Sequence, residues 1–197
     1  NVTIKQDAPG QKAFLTDGQI YDLHSGKIIS SSELLADLAT AQHLIIGEKH
    51  DNAEHHQIEL WLIQNLLIQR PQGSVLLEML TSEQQHQVKC WLKDNPVVRD
   101  SRVQELLNWQ KGWSWEMYGD IVMQLLRGPY PLLNANIGRE QMLALYKKNE
   151  FPKGKKSTAP VVQEALRETI ISMHEGNLES QQLTSMLSIQ QQRDRYM

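Results

Sequence analysis

The stretch that most constrains this chain is residues 44–56, where a short apolar run ends in a cluster of charge and a helical pattern follows. Residues 44–46 are apolar and mostly β-branched, which is typical of a central strand. Asp51 and Glu54 have the spacing of a capping box. We therefore expect a buried strand at 44–47, and then a helix that ends before Pro71.

Two further apolar runs resemble the first one. Residues 74–79 and 131–135 each read as a buried strand, and helical patterns separate them from each other and from the first run. Strands joined by helical crossovers pair in parallel. The pattern predicts an α/β fold with a parallel sheet flanked by helices and a smaller, all-helical subdomain.

The same patterns predict how the chain divides into domains. We expect the sheet domain at 19–81 and 128–146, and the helical subdomain at 82–127 and 160–197. A basic loop at 147–159, which contains five lysines, separates the last segment of the sheet domain from the last segment of the helical subdomain. Within the sheet domain, residues 19–22 and 27–29 are predicted to form a hairpin.

Composition excludes several classes of protein. The 197 residues carry a formal net charge of −3, which gives no electrostatic case for nucleic-acid binding. No apolar run approaches the roughly 18–20 residues that span a bilayer. A single cysteine excludes an intrachain disulfide, and the common glycine-rich nucleotide motifs are absent.

Polar side chains follow each predicted strand of the parallel sheet. The first strand leads to Glu48 and His50, the second ends on Glu78, and the third leads to Asn136 and Arg139. Because ligands bind where parallel strands end and helices begin, we expect these five side chains in one crevice. A buried carboxylate at Glu78 needs a partner, which Arg139 or His50 could supply.

Two functions fit these residues. One is a metal-dependent hydrolase that uses His50, His55 or His56, and Glu78 as ligands, with Glu48 as the base. The spacing is not that of His-Glu-x-x-His. The other is a protein that binds a large anionic ligand through histidines, lysines and an aromatic wall. Alternatively, Glu48 serves only the backbone amides at the start of the helix.

Five motifs lie in order along residues 19–197. They are Gly47-Glu48-Lys49-His50-Asp51-Asn52 with His55-His56, then Leu76-Leu77-Glu78-Met79-Leu80, the Trp-rich segment 109–118, Asn134-Ala135-Asn136-Ile137-Gly138-Arg139, and Gln190-Gln191-Gln192-Arg193-Asp194 with Met197. Together they resemble the motifs of the ChaN-like haem-binding lipoprotein family, which is related to the Tiki and erythromycin-esterase superfamily. The last motif adds Arg193 to the predicted crevice. The superfamily also contains metalloproteases and esterases, which keeps the hydrolase alternative open.

The resemblance implies a non-enzymatic protein, lipid-anchored to the bacterial outer membrane, that binds haem during iron uptake. It implies a homodimer with two cofacial haems at its interface, and an outer-membrane haem receptor as a possible partner. The family's lipid-bearing cysteine is not at this amino terminus, so the anchor is implied by the family alone. Because the family's pattern continues with another strand and a Gly-x-x-His-Val segment, we expect this chain to be truncated at its C-terminus.

In the family, a tyrosine of one subunit ligates each iron. A phenolate is a hard anionic oxygen that suits ferric haem, and a neighbouring positive charge favours its formation. We choose Tyr118 as the iron ligand, with Lys111 two helical turns upstream if the segment is continuous. Tyr146, beside the basic loop, is the second choice and Tyr21 the third. The alternative for Tyr118 is a core residue with a hydrogen-bonded hydroxyl.

The family also uses a histidine and a lysine of the other subunit to hold the haem propionates. For these roles we choose His55 or His56 and Lys49 or Lys111, because two carboxylates require cationic donors.

Overall fold

The computed structural model describes residues 18–94, 102–148, 150–174 and 178–196, except for the side chains of 89–94. Within these ranges it contains four strands and eight helices. In chain order they are β1 (Ile20–Asp22), β2 (Lys27–Ile29), α1 (Ser31–Thr40), α2 (Ala53–Gln69), β3 (Val75–Thr81), α3 (Ser82–Asp94), α4 (Val103–Leu106), α5 (Trp115–Arg127), β4 (Leu132–Asn136), α6 (Arg139–Lys148), α7 (Pro160–Met173) and α8 (Ser180–Tyr196). None of the described helices is both long and apolar enough to cross a membrane.

The chain divides into two compact units. The first comprises Asn1–Val75 and Leu92–Leu132, and the second comprises Leu76–Trp91 and Leu133–Met197. This division groups residues by proximity, and the domain boundaries expected from the sequence remain a prediction.

The core of the first unit forms where α1 and α5 pack on α2. Leu35 of α1 meets Trp61, Leu62 and Leu66 of α2 in one buried cluster. Buried residues at positions 61, 62, 65 and 66 of α2 lie three and four residues apart, which places them on one face of the helix. On α5, residues 118–126 are mostly buried.

The second unit contains most of β3 and β4 together with α6, α7 and α8. The two strands form a two-stranded sheet, and the fold is a parallel sheet flanked by helices, as predicted. Both α6 and α7 pack against α8. Ile170, Leu183 and Leu187 form the buried cluster between α7 and α8.

Capping residues begin the first two helices. Ser30 caps α1 in a capping box, with its hydroxyl accepting from the Glu33 amide and the Glu33 carboxylate accepting from the Ser30 amide. The residue that caps α2 is Asn52, whose side chain accepts from the amides of residues 54 and 55. The prediction of Asp51 as the cap was therefore wrong. Its carboxylate lies 3.4 Å from Lys49 Nζ in an exposed ion pair.

Residues 44–47 do not form the predicted strand. The structure has no regular element there, and the Ile45 side chain is 94% exposed. A strand requires a neighbour for its backbone amides and carbonyls, and β3 and β4 pair only with each other among the described residues. The β-branched composition of residues 44–47 was therefore not sufficient to form a strand.

The Trp-rich segment is not one helix. The sequence predicts helix over 101–127 with an interruption at Lys111-Gly112, and the structure has α4 and α5 with irregular backbone at 107–114, a longer break that includes those two residues. Because α5 begins only at Trp115, Lys111 is not on the same helix as Tyr118. The two-turn spacing expected for a continuous helix is therefore not formed.

Candidate functional site

The hydroxyl of Tyr118 contacts a carboxylate at the start of residues 48–51, which are called the charged segment below. Tyr118 is 1% exposed on α5, and its hydroxyl donates to Glu48 Oε1 over 2.6 Å. The Glu48 side chain is itself only 8% exposed. This arrangement matches the alternative given by the sequence analysis, in which Tyr118 is a core residue with a hydrogen-bonded hydroxyl.

His50 bonds to the same carboxylate oxygen. Its Nδ1 lies 2.5 Å from Glu48 Oε1 and 3.1 Å from the Tyr118 hydroxyl. Burial raises the pKa of Glu48, but the hydrogen bonds from Tyr118 and His50 and the charge of nearby histidines outweigh it and lower the pKa below its ordinary value. An ionised carboxylate only accepts, so His50 Nδ1 donates the proton of this bond.

The other ring nitrogen of His50, Nε2, is not engaged by Glu48 or by Tyr118. His50 Nε2 makes no hydrogen bond to the described residues, and the side chain is 54% exposed. The Trp113 ring lies edge-on to the imidazole at a centroid distance of 4.8 Å. Glu48 and Trp113 thus orient the His50 imidazole at the surface of the first unit.

His56 lies behind this surface. It is buried, its Nε2 donates to the His50 carbonyl over 3.1 Å, and its ring packs edge-on against Tyr118 at 4.4 Å. Its Nε2 also lies 3.8 Å from Glu48 Oε2. His56 therefore holds the backbone of the charged segment in place.

His55 points in a different direction from its neighbour, as adjacent helix positions require. It is exposed, and its Nδ1 accepts from the Lys49 amide over 2.9 Å. Lys49 and Lys111 are both exposed. Of the residues chosen for the propionates, His55, Lys49 and Lys111 are accessible to a ligand, whereas His56 is not.

Sequence reasoning missed Glu59, one turn after His56 on α2. Its Oε2 is buried without a hydrogen-bond partner among the described residues. Burial raises its pKa, and the negative charge of Glu48 raises it further, while His56 lowers it. A charged residue at an inward position of an amphipathic helix is the sequence signal that could have identified it.

Glu78, Asn136 and Arg193 meet in the second unit. Arg193 Nη2 donates to Glu78 Oε1 over 2.6 Å, and Arg193 Nε donates to Asn136 Oδ1 over 3.3 Å. The predicted partner of Glu78, either Arg139 or His50, is therefore replaced by Arg193. Arg139 is exposed at the first position of α6. A single crevice that also includes Glu48 and His50 remains a prediction.

The three candidate tyrosines differ in exposure. Tyr118 is buried, whereas Tyr21 is exposed on β1 and Tyr146 is 41% exposed on α6. Two exposed apolar side chains, Met142 and Leu143, accompany Tyr146 on α6. At about 100° per residue, these three side chains lie within roughly a 100° arc of the helix. This surface is called the α6 face below.

The residues present suit a haem at the α6 face better than they suit a cluster-bound metal ion. The phenol oxygen of Tyr146 could ligate iron, the neighbouring apolar side chains could contact a flat ring, and Lys147 could pair with a propionate. Within the described residues, no group of three or more His, Cys, Asp or Glu side chains is arranged to hold a metal ion.

Comparison with known proteins agrees with the sequence resemblance. The family described as "Haem-binding uptake, Tiki superfamily, ChaN" matches residues 34–197. A solved structure, described as "Cofacial heme binding to ChaN of Campylobacter jejuni", is similar with a TM-score of 0.82 and 30% sequence identity, over 90% of this chain and 72% of that one. No curated protein matches the chain. The chain therefore belongs to the haem-binding uptake family of the Tiki superfamily that includes ChaN.

Proposed function

We propose that this chain binds haem and functions in bacterial haem uptake rather than as an enzyme. The observation that carries the proposal is the similarity to the Campylobacter jejuni ChaN structure, which extends over 90% of this chain. The sequence motifs that resemble the family lie within the same region, and the family match begins at residue 34.

Tyr146 is the iron ligand in this proposal, in place of the first choice made from sequence. Tyr118 is 1% exposed, and its hydroxyl donates a hydrogen bond to the Glu48 carboxylate, so a macrocycle cannot reach its oxygen in this conformation. Tyr146 is 41% exposed and projects from the α6 face. When bound, haem would supply the ferric iron that a phenolate oxygen ligates.

The surroundings of Tyr146 support this choice. Met142 and Leu143 offer apolar contact to a flat ring system, and they are exposed in the chain as it stands. Lys147 follows Tyr146 in the last turn of α6 and can pair with a propionate. His55, Lys49 and Lys111, accessible in the first unit, remain the proposed propionate partners from a second subunit.

We further propose that the α6 face of one chain meets that of a second copy, with two haems between them. An exposed apolar face on a helix is a common feature of protein interfaces, and cofacial binding is described for the Campylobacter jejuni protein. Attachment to the outer membrane by a lipid and delivery by an outer-membrane receptor complete the proposal and rest on the family resemblance alone.

Haemin titration of three separate variants tests the ligand. Tyr146→Phe should lose the high-spin ferric spectrum of phenolate-ligated haem, whereas Tyr118→Phe and Tyr21→Phe should keep it. If Tyr146→Phe retains the wild-type spectrum and affinity, the assignment is wrong. If the wild-type chain shows no saturable change in its Soret band, haem binding itself is wrong.

Sedimentation measurements test the dimer. The haem-loaded chain should sediment as a dimer, and Leu143→Asp on the α6 face should leave it monomeric. Leu23→Asp is the matched control, since Leu23 is an exposed leucine outside that face. A Leu143→Asp variant that still dimerises with haem would contradict the proposed interface.

A metal-dependent hydrolase is the second candidate, and one observation favours it. Glu48 orients His50 and leaves its Nε2 free, which is how a carboxylate prepares an imidazole as a general base or a metal ligand. Against it, Glu78, one of its expected metal ligands, is occupied by Arg193. Stoichiometric zinc or manganese in the purified chain, without any response to haemin, would favour the hydrolase.

A further inference from the structure

The basic loop that follows α6 is fixed to α8 by three side chains of that helix. Gln191 Nε2 donates to the carbonyl of residue 157 over 2.6 Å, Gln192 Nε2 to that of residue 150 over 3.1 Å, and Arg195 Nη1 to that of residue 153 over 2.5 Å. Gln191 is itself fully buried, so packing holds its donor in place. A solvated linker between two helices does not require three such bonds, and the loop is therefore presented in a defined position.

The fixed backbone carries lysines that face solvent. The Thr158 hydroxyl donates to the Gly154 carbonyl and closes a turn. Lys153, Lys155 and Lys156 are exposed around that turn. Within the described parts of the chain, none of these three lysines pairs with a carboxylate. Their charge is therefore available to an anionic partner.

The charge of the loop is opposite in sign to that of the whole chain. Residues 147–159 contain five lysines and one glutamate, a net charge of +4, whereas the chain carries −3. A concentrated positive patch is attracted to an anionic surface, and each lysine close to an anionic membrane strengthens binding about fivefold. Three exposed lysines on one turn are thus sufficient for a measurable contact.

An exposed aromatic ring distinguishes a lipid surface from other anionic partners. Phe151 is 38% exposed, and the next residue, Pro152, is buried and anchors the chain beside it. Peripheral membrane proteins combine apolar rings that enter the boundary between headgroups and acyl chains with lysines that meet the phosphates. A soluble polyanion would engage the lysines alone and leave the ring in water.

We propose that the basic loop docks on an anionic phospholipid surface, with Phe151 inserted and Lys153, Lys155 and Lys156 on the headgroup phosphates. This inference goes beyond the proposed haem binding and does not depend on it, because Tyr146 and the α6 face take no part in the contact. It also requires no covalently attached lipid. The tests therefore use the haem-free chain without a lipid anchor.

Co-sedimentation with vesicles tests the contact. Wild type should bind phosphatidylcholine vesicles that contain phosphatidylglycerol and should not bind vesicles of phosphatidylcholine alone. Raising the salt from about 0.1 M to about 1 M shortens the Debye length from about 10 Å to about 3 Å and should release the protein. The triple variant Lys153→Gln, Lys155→Gln, Lys156→Gln should bind about a hundredfold more weakly.

A second triple variant separates the loop from net charge. Lys27→Gln, Arg102→Gln, Arg139→Gln removes three exposed cations outside the loop and reaches the same net charge. It should bind the anionic vesicles like wild type. All six positions are exposed, so urea denaturation should show that both variants remain folded.

The role of Phe151 separates lipid from a soluble polyanion. Phe151→Ala should weaken binding to the anionic vesicles severalfold, and Phe151→Trp should restore it. Binding to heparin, a soluble polyanion, should be the same for Phe151→Ala and wild type, since the ring has no contact there.

Each contrary result overturns a defined part of the proposal. If wild type does not sediment with the anionic vesicles, the docking surface is wrong. If the two triple variants bind equally, net charge and not the loop is responsible. If Phe151→Ala binds the vesicles like wild type, a soluble polyanion replaces the lipid as the partner. Haemin titration is unaffected by any of these outcomes, so haem binding stands or fails separately.

Discussion

Tyr118 and Glu48 lie 70 residues apart in the chain, and a 2.6 Å hydrogen bond joins them. Both side chains are at least nine-tenths buried. The bond connects α5 to the segment just before α2, and the same carboxylate orients His50. The charged segment is thus held by a residue that the sequence first suggested for iron binding.

The first prediction concerns this bond. Tyr118→Phe should lower the free energy of unfolding by about 1.5 to 3 kcal/mol, because it removes a donor from a buried, ionised carboxylate. Urea denaturation measures the change. Tyr21→Phe, at an exposed position, should stay within about 0.5 kcal/mol of wild type. Equal stability of the two variants would contradict a structural role for the hydroxyl.

The second prediction concerns Glu59 and pH. Because burial and the charge of Glu48 raise its folded-state pKa above the ordinary 4.5, its favourable contribution exists below the unfolded-state pKa and is lost as pH rises through the folded-state pKa. Glu59→Gln should therefore be more stable than wild type at pH 7, with no such gain near pH 4.

Urea denaturation at several pH values measures this difference. Glu105→Gln, at an exposed position of α4, serves as the control and should follow wild type at each pH. A Glu59→Gln variant whose stability runs parallel to wild type across the whole range would show that Glu59 is not strained by its burial.

The third prediction concerns Glu48, whose contribution to stability changes with pH in the opposite direction to that of Glu59. The folded-state pKa of Glu48 is lowered, so its contribution to stability is present above the unfolded-state value and is lost as pH falls through the folded-state pKa. Glu48→Gln should be less stable than wild type at pH 7, and the difference should shrink on acidification. Denaturation curves from pH 7 to pH 3 check this, and a constant difference would refute it.

The fourth prediction concerns Glu78 and Arg193, whose side chains are 30% and 24% exposed. Glu78→Ala should cost between about 1 and 3 kcal/mol, because it leaves the guanidinium half-buried without its carboxylate. A double-mutant cycle with Arg193→Met isolates the pair. Additive effects of the two substitutions would mean that the ion pair contributes nothing.

The fifth prediction concerns the start of α2. Asn52→Ala should destabilise the chain by about 1 kcal/mol, because the amides of residues 54 and 55 lose their acceptor. Asn52→Ser should recover most of the loss. Asp51→Ala, which removes the residue first expected to cap the helix, should change the unfolding free energy little. The reverse order of effects would restore Asp51 as the cap.

Several elements of this protein follow from local sequence. The Ser30 and Glu33 capping box, the hairpin of β1 and β2, and the start of α7 at Pro160 are each determined by neighbouring residues. Their physical causes act within a few positions: a side chain accepts from nearby amides, or a ring restricts φ. The apolar runs of β3 and β4 were also sufficient to predict both strands.

The candidate site depends on contacts that no local pattern encodes. Composition alone predicted a strand at 44–47, but a strand forms only where the tertiary fold provides a partner, and Ile45 is exposed there instead. Arg193 pairs with Glu78 across 115 residues of chain. Which tyrosine is buried and which is exposed was likewise decided by how α5 and α6 pack, because burial depends on neighbours from distant parts of the sequence.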